Sequence, residues 1–333
     1  TSAVTTTNAY NIDRWQNAFS GTIGAYSFSQ VTDSPHGFAN SFKIDVTSAD
    51  TSLGSTDVHY FRTALEGQNV QDFAKGTSSA KKFILSFYVK TTKTGTYIVN
   101  LTDADNSREC SGSYTVSNTN WNRYTISFPA DTTGAFDNDA NVSLRVLFAL
   151  SAGSSFQSGT LSTSWAASAD ANRLVGQVNL ADNTSNEWLI TGVQLEASDS
   201  DVATDFEHRS FGEELSLCQR YFCKSFNYDV ILADITSGND KFDGAISQRS
   251  IANTSANILF SPYPVLMRSE PTVTLHGPTD GTKSAGTIRG SGNAAITAIG
   301  FQNTNSDRQL CFNFTSNQSG SFISAHYLAD AEL

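Results

Sequence analysis

Apolar residues in the first two hundred positions recur at every second place in short runs: Phe42, Ile44 and Val46; Phe83, Leu85, Phe87 and Val89; Tyr124, Ile126 and Phe128; Leu144, Val146, Phe148 and Leu150. A period of two lays the apolar residues along one face of an extended chain, so each run predicts a strand with one face buried. Tyr97 to Leu101, Ser113 to Val116 and Trp188 to Leu195 are further strand candidates. Turn signals between them, such as Lys93-Thr94-Gly95, suit hairpins and Greek-key connections. Eight or nine strands with no crossover helix predict antiparallel sheets packed face to face, a jelly-roll sandwich.

The period changes at Ser210. Ser210 and Glu213 have the spacing of a capping box, in which each side chain satisfies a backbone N–H at a helix start. Phe211, Leu215, Cys218 and Phe222 then recur at helical spacing. The pattern predicts an amphipathic helix from Ser210 to Phe222 that must dock its apolar stripe, because an isolated helix of this length is marginal in water. Beyond it, strands are predicted at Tyr228 to Ile235, Phe242 to Ile246, Asn257 to Phe260, Thr272 to Leu275, Ala295 to Phe301, Leu310 to Phe314 and Phe322 to Leu328. Pro262, Pro264 and Pro271 fall at segment edges, where a missing N–H is tolerated. Gly277 to Gly292 reads as a long hairpin loop or mobile tip. The expected fold is all-β: two antiparallel β-sandwich (jelly-roll-like) domains joined by one short α-helix, with boundaries at 1–208, 209–225 and 226–333.

Composition adds a surface to this core. Hydrophobic residues are 39% and aromatics 11%, with 22 Phe and 11 Tyr, whereas charged residues are only 16%. Ser, Thr, Asn and Gly must therefore cover most of the outside, as in extracellular β proteins. A net charge of −11 with no Lys/Arg cluster argues against a nucleic-acid partner, which needs cations along the phosphate backbone. No stretch approaches the roughly 18 consecutive apolar residues of a membrane-spanning helix, and the first residues lack the layout of a signal peptide, so no membrane insertion is expected.

Chemistry-bearing patterns are few. Cys110, Cys218, Cys223 and Cys311 form no C-x-x-C pair and have no histidine at ligand spacing, so they read as buried free thiols, with a disulfide to the helix left open. His36, His59, His208, His276 and His326 are unclustered. No metalloprotease, serine-hydrolase, phosphate-loop or dinucleotide motif occurs, so the protein is expected to be non-enzymatic and to need no cofactor. The carboxylate pairs Asp103/Asp105, Asp137/Asp139 and Glu213/Glu214 each have a plainer role. The first two sit in loops whose oxygens could serve calcium, but Asp and Asn favour such turns by bonding their own backbone. No metal ligand is assigned.

Gly153 to Asn186 is too long and too polar for an ordinary hairpin connection, and long ordered loops commonly serve function or an interface. Within it, Trp165 is the candidate platform for the apolar face of a sugar and Arg173 the candidate hydrogen-bonding partner. The competing reading has Trp165 anchoring the loop on its own domain or on a neighbouring subunit. Trp15, Trp121 and Trp188, beside or within strands, are assigned to the core.

One stretch carries a resemblance. Thr191-Gly-Val-Gln-Leu-Glu196, followed by Ala203-Thr-Asp-Phe-Glu-His-Arg-Ser-Phe-Gly-Glu-Glu-Leu215, resembles a junction found in phage tail-fibre and other virion surface proteins. Asp205 stands where that pattern usually has proline. The likeness runs more loosely from Asp13-Arg14-Trp15 to Asp330-Ala331-Glu332-Leu333, and the first domain resembles β-sandwich carbohydrate-binding modules. The resemblance implies a virion structural protein, with a further strand and a virion anchor ahead of Thr1. It implies a homotrimer whose partners are other tail or capsid proteins and a host cell-surface glycan or protein. Without collagen repeats or heptads the chain would be a knob, and not a shaft. Two alternatives stand beside the tail-fibre or receptor-binding knob: a head-fibre or capsid decoration protein, and a secreted carbohydrate-binding module or glycoside-active enzyme with two carboxylates across a cleft.

Overall fold

The computed structural model describes residues 3–4, 9–228, 244–249, 257–276, 287–289, 299–301, 306–314 and 322–333. The chain divides into two compact units, Thr1–His208 together with Leu333, and Arg209–Glu332.

The first unit holds β1 (Ala3–Val4), β2 (Ala9–Ile12), β3 (Trp15–Ser20), β4 (Ala25–Val31), β5 (Ser41–Ser48), β6 (Val58–Glu66), β7 (Lys82–Thr91), β8 (Gly95–Asp103), β9 (Arg108–Val116), β10 (Asn122–Phe128), β11 (Val142–Ala152), β12 (Ala166–Ala167) and β13 (Glu187–Ser198). They form a six-stranded sheet in the order β1-β4-β5-β13-β7-β10 and a seven-stranded sheet in the order β12-β9-β8-β11-β6-β3-β2. Every ladder is antiparallel. The alternating runs point into the gap between the sheets: Ile44, Phe83, Leu85, Phe87 and Val89 from one side meet Phe61, Tyr97, Val99, Leu144, Val146 and Phe148 from the other. Each such side chain stabilises the sandwich by about 1.5–3 kcal/mol through burial alone. Trp15 stacks on Phe61 at 4.7 Å between ring centres, and Trp188 is fully buried.

Part of the seven-stranded sheet is covered on its other face as well. Ala18, Tyr60, Ile98, Leu147 and Ala149 look away from the sandwich core, yet they are buried beneath Leu174, Phe156 and Leu161. These last three belong to the 153–186 excursion, which contains 3-10 turns at Ser154–Phe156 and Leu180–Asp182, the short β12 and the helix α1 (Asp170–Arg173). The predicted one-faced alternation of β11 is therefore corrected. Its run Val146-Leu-Phe-Ala-Leu150 is continuously apolar because both faces are covered.

In the second unit, α2 (Phe211–Gln219) begins with the expected capping box: Ser210 N–H donates to Glu213 Oε2 at 3.0 Å and Glu213 N–H donates to Ser210 Oγ at 3.3 Å. It is nine residues long, and Phe222 already belongs to a strand. Of the expected stripe, Leu215 and Cys218 are half-buried whereas Phe211 is 83% exposed, so the helix covers its apolar side only in part.

The strands of this unit are β14 (Phe222–Lys224), β15 (Ile246–Arg249), β16 (Asn257–Pro262), β17 (Thr272–His276), β18 (Thr287–Arg289), β19 (Ile299–Phe301), β20 (Gln309–Phe314) and β21 (Phe322–Asp330). β21 is the hub, pairing with β14, β15, β17 and β18, while β16, β20 and β19 form a separate three-stranded sheet. Cys223, Tyr263, Met267, Leu275, Leu310, Tyr327 and Ala329 make its core. Pro262 ends β16 and Pro271 precedes β17, as their missing donors require. The strands predicted at Tyr228 to Ile235 and Phe242 to Ile246 lie largely outside the described residues, and so does the Gly277–Gly292 tip apart from β18.

Candidate functional site

The outer face of the six-stranded sheet carries the junction motif of the first unit. The Gly192-Val-Gln-Leu-Glu196 motif runs down the middle of it on β13. The β13–β7 ladder slips between Thr191 and Gln194, and Gly192 takes a φ of +60° there. A Cβ at Gly192 would lie 2.6 Å from Phe38 Cζ and 3.1 Å from Tyr88 Cδ2, so glycine is what lets these two rings close over the bulge. Phe38 and Tyr88 sit 5.4 Å apart between ring centres.

The rest of the motif fastens a strap across this face. Gln194 Nε2 donates to Thr204 Oγ1 and to the Asp205 carbonyl, each at 3.1 Å, and its Oε1 accepts the Glu207 N–H at 2.8 Å. Glu196 accepts from the Thr204 N–H at 3.2 Å and from its hydroxyl at 3.0 Å. Arg123 donates to the Thr204 carbonyl and approaches the Asp205 carboxylate at 3.9 Å. Phe206 then meets Phe38 edge-on at 5.1 Å, and His208 packs against both. Ile84 and Ser86 point outward on β7 yet are buried.

Beside the strap lies a strip of aromatic and polar groups. Trp121 was assigned to the core, but the structure places it outside: it is half-buried, and its indole N–H donates to Asp33 at 2.9 Å. Its position is odd-numbered whereas the inward residues Tyr124, Ile126 and Phe128 are even, and that phase already marked it as facing out. Asp33 also accepts from Lys90 at 2.6 Å. Hydrogen bonds from Lys90 and Trp121 hold the Asp33 carboxyl below its ordinary range. Lys90 and Tyr88 share the outward phase of β7, and Arg123, opposite Tyr88 in the ladder, holds its guanidinium 6.0 Å from the Tyr88 ring centre. The cations of this face are paired in place: Lys90 with Asp33, Lys43 with Glu187, Lys82 with Asp201 and Arg123 with Asp205. Half-exposed rings beside fixed donors and acceptors can take the C–H face and the hydroxyls of a sugar.

Trp165 and Arg173 are placed elsewhere. Trp165 is only 9% exposed; its indole N–H donates to the Pro129 carbonyl at 2.8 Å and its ring lies 5.3 Å from Phe83. Arg173 Nε donates to Glu109 at 2.7 Å, and its Nη1 lies 2.7 Å from Asp170. Arg173 pins the excursion to β9 of the seven-stranded sheet and Trp165 pins it to Phe83 of β7 and to the chain just past β10, and in this conformation neither offers a free face to a ligand. Of the two calcium-candidate loops, Asp139 bonds the Asn141 backbone at 2.9 Å and side chain at 2.6 Å, and Asp103 bonds the Asn106 N–H at 3.0 Å. Among the described residues no group of three or more His, Cys, Asp or Glu is gathered for a metal. All four cysteines are free thiols; burial pushes Cys110 and Cys223 up to about 12, while Cys218 is half-buried.

No protein-family model and no curated protein matches the chain. Solved structures do. The enzymatically active domain of tailspike protein 4 from bacteriophage CBA120 is similar over 56% of this chain at 14% identity with a TM-score of 0.33, and the match spans only 20% of that chain. The family 11 carbohydrate-binding module from Clostridium thermocellum, in complex with a β-1,3-1,4-mixed-linked tetrasaccharide, matches over 56% of this chain and 91% of its own at 12% identity with a TM-score of 0.31. The CBM22-1–GH10 modules of xylanase 10B from the same organism, complexed with xylohexaose, match over 60% and 29% at 10% identity, also with a TM-score of 0.31. Likeness at this level does not fix what the outer face takes.

Proposed function

We propose that the protein is a non-enzymatic, glycan-binding protein of a virion surface, a tail-fibre or receptor-binding knob that adheres to host surface glycans as a homotrimer. The observation that carries the reading is the strip of Trp121, Tyr88 and Arg123 with Asp33 and Lys90 on the outer face of the six-stranded sheet. The indole N–H is already committed to Asp33, so the ring is held in one orientation and little side-chain entropy is lost when a sugar stacks on it. A single contact of this kind is weak. Three copies on one particle convert it into avidity, because the second and third sites engage at high effective concentration.

Trp121→Ala tests the reading on a glycan array followed by calorimetry on the best binder. The substitution removes the platform without touching the core and is expected to lower single-site affinity at least tenfold, an energetic effect of about 1.4 kcal/mol. Affinity equal to that of the unaltered protein would remove the strip from consideration. Light scattering of the same samples reads the oligomer: a stable trimer supports the virion reading, and a monomer favours a secreted module.

A further inference from the structure

Lys75 sits in the connection between β6 and β7 with its side chain fully buried, an unusual place for a lysine. Its Nζ is surrounded by four oxygens: Asp103 Oδ2 at 2.6 Å, the Gly134 carbonyl at 2.7 Å, the Thr133 carbonyl at 2.9 Å and Asp131 Oδ2 at 3.1 Å. Asp103 is 0% exposed and Asp131 5%. The oxygens come from three separate places, the last residue of β8 and two points on the β10–β11 connection. The rings of Phe136 and Trp165 close the other side, each centred 5.2 Å from the ammonium. Arg108 completes the charge balance through Asp131 at 2.8 Å, so two carboxylates face two cations.

We propose that the Lys75 ammonium is the resident cation of an oxygen cage suited to calcium, so that the sandwich needs no divalent ion while Lys75 is present and gains a calcium site when the ammonium is removed. Two carboxylate oxygens and two backbone carbonyls are hard donors of the kind calcium takes, at distances that shorten by a few tenths of an ångström to reach about 2.3–2.6 Å. Calcium wants six to eight oxygens, and the space vacated by the lysine stem admits the waters that complete the shell. Magnesium is a poorer fit, since it holds its own waters and demands a near-octahedral set. The ammonium does what a bound ion would do: it ties the β6–β7 connection, the end of β8 and the β10–β11 connection at one point, and it cannot be removed by a chelator.

The test uses the full chain as Lys75→Ala. Thermal melts are recorded in chelator, in magnesium and over a calcium titration, and terbium luminescence is excited through tryptophan, since Trp165 lines the cage. The unaltered protein is expected to melt at the same temperature with chelator and with calcium. K75A should melt lower in chelator, recover with a midpoint rising as the logarithm of calcium concentration, respond less to magnesium, and sensitise terbium. Asp103→Asn added to K75A should abolish recovery and luminescence. If K75A does not fold in chelator, refolding is attempted with calcium present, and failure to recover overturns the proposal. So does a folded K75A that binds neither calcium nor terbium, and so does an Asp103-dependent calcium shift in the unaltered protein.

Discussion

Arg173→Met removes a charge from a pair whose other member cannot escape. Glu109 is 0% exposed and accepts two hydrogen bonds, from Arg173 Nε at 2.7 Å and from the Ala169 N–H at 2.9 Å. Methionine keeps most of the arginine stem in place, so the loss is electrostatic: a buried carboxylate left with one backbone donor. Removing one partner of a buried pair costs about 3–5 kcal/mol, whereas the accompanying loss of the exposed Asp170 contact costs about 0–1 kcal/mol. The retained Ala169 bond argues for the lower end, about 3 kcal/mol, or roughly a hundredfold in the folding equilibrium. Urea denaturation monitored by tryptophan fluorescence measures it on the first unit's transition. The double variant E109Q/R173M should recover more than half of the loss, since the stranded charge is gone. A loss below about 1 kcal/mol, or a double variant no better than R173M, would refute the argument. Glycan affinity corrected for folded fraction should not change, because the pair belongs to the seven-stranded sheet and the strip to the other.

Two further perturbations probe the same unit. Burial holds the His59 imidazole at about 3, well below its ordinary 6.5, with its Nε2 3.0 Å from Asn17 Oδ1; the unfolded chain therefore takes up a proton that the folded one refuses, and stability should fall as pH drops from about 6.5 toward 3, by up to about 1.4 kcal/mol per pH unit. His59→Gln should remove that slope in denaturation curves across this window, and an unchanged slope would assign the acid sensitivity elsewhere. Gly192→Ala forces an L residue to φ +60° against Phe38 and should cost about 1–3 kcal/mol, read in thermal melts, with a changed near-ultraviolet dichroism as the Phe38–Tyr88 pair separates. A melt unchanged within error would show that the bulge relaxes freely.

Strands whose inward residues alternate were legible in the sequence: β5, β7 and β10 lie where alternation placed them, because a period of two has one structural solution when one face is buried, and β8, β9 and β13 cover the further candidates. β3, β4 and β6 were not read: polar Asn17 and Gln30 interrupt the aromatic phases of Trp15–Ser20 and Ala25–Val31, and Val58–Glu66 carries apolar residues on both phases. The capping box was found because its chemistry is local; the fate of the helix's apolar side was not, because it depends on what other parts of the chain present to it. Trp165 drew attention as a large ring in a polar loop, but a loop that folds back over a sheet needs such an anchor more than a ligand does. Trp121, flanked by Asn120 and Asn122 and out of phase with the strand that follows it, carried the better signal. The role of Gln194 and Glu196 could not be read at all: their partners lie eight to thirteen residues on, in a segment without regular structure.

The strap also sets how the first unit bears load. A pull on the chain beyond His208 reaches Gln194, Glu196 and Arg123 before it reaches any ladder, because Thr204, Asp205 and Glu207 are held by these three side chains. Tension is thereby shared between β13 at Gln194 and Glu196, where β7 is its ladder partner, and the edge strand β10 at Arg123. If the protein is the particle-borne adhesin proposed above, dragging the particle stretches it, and side-chain bonds that give way and reform before the sheet is touched would let this unit act as a sacrificial spring.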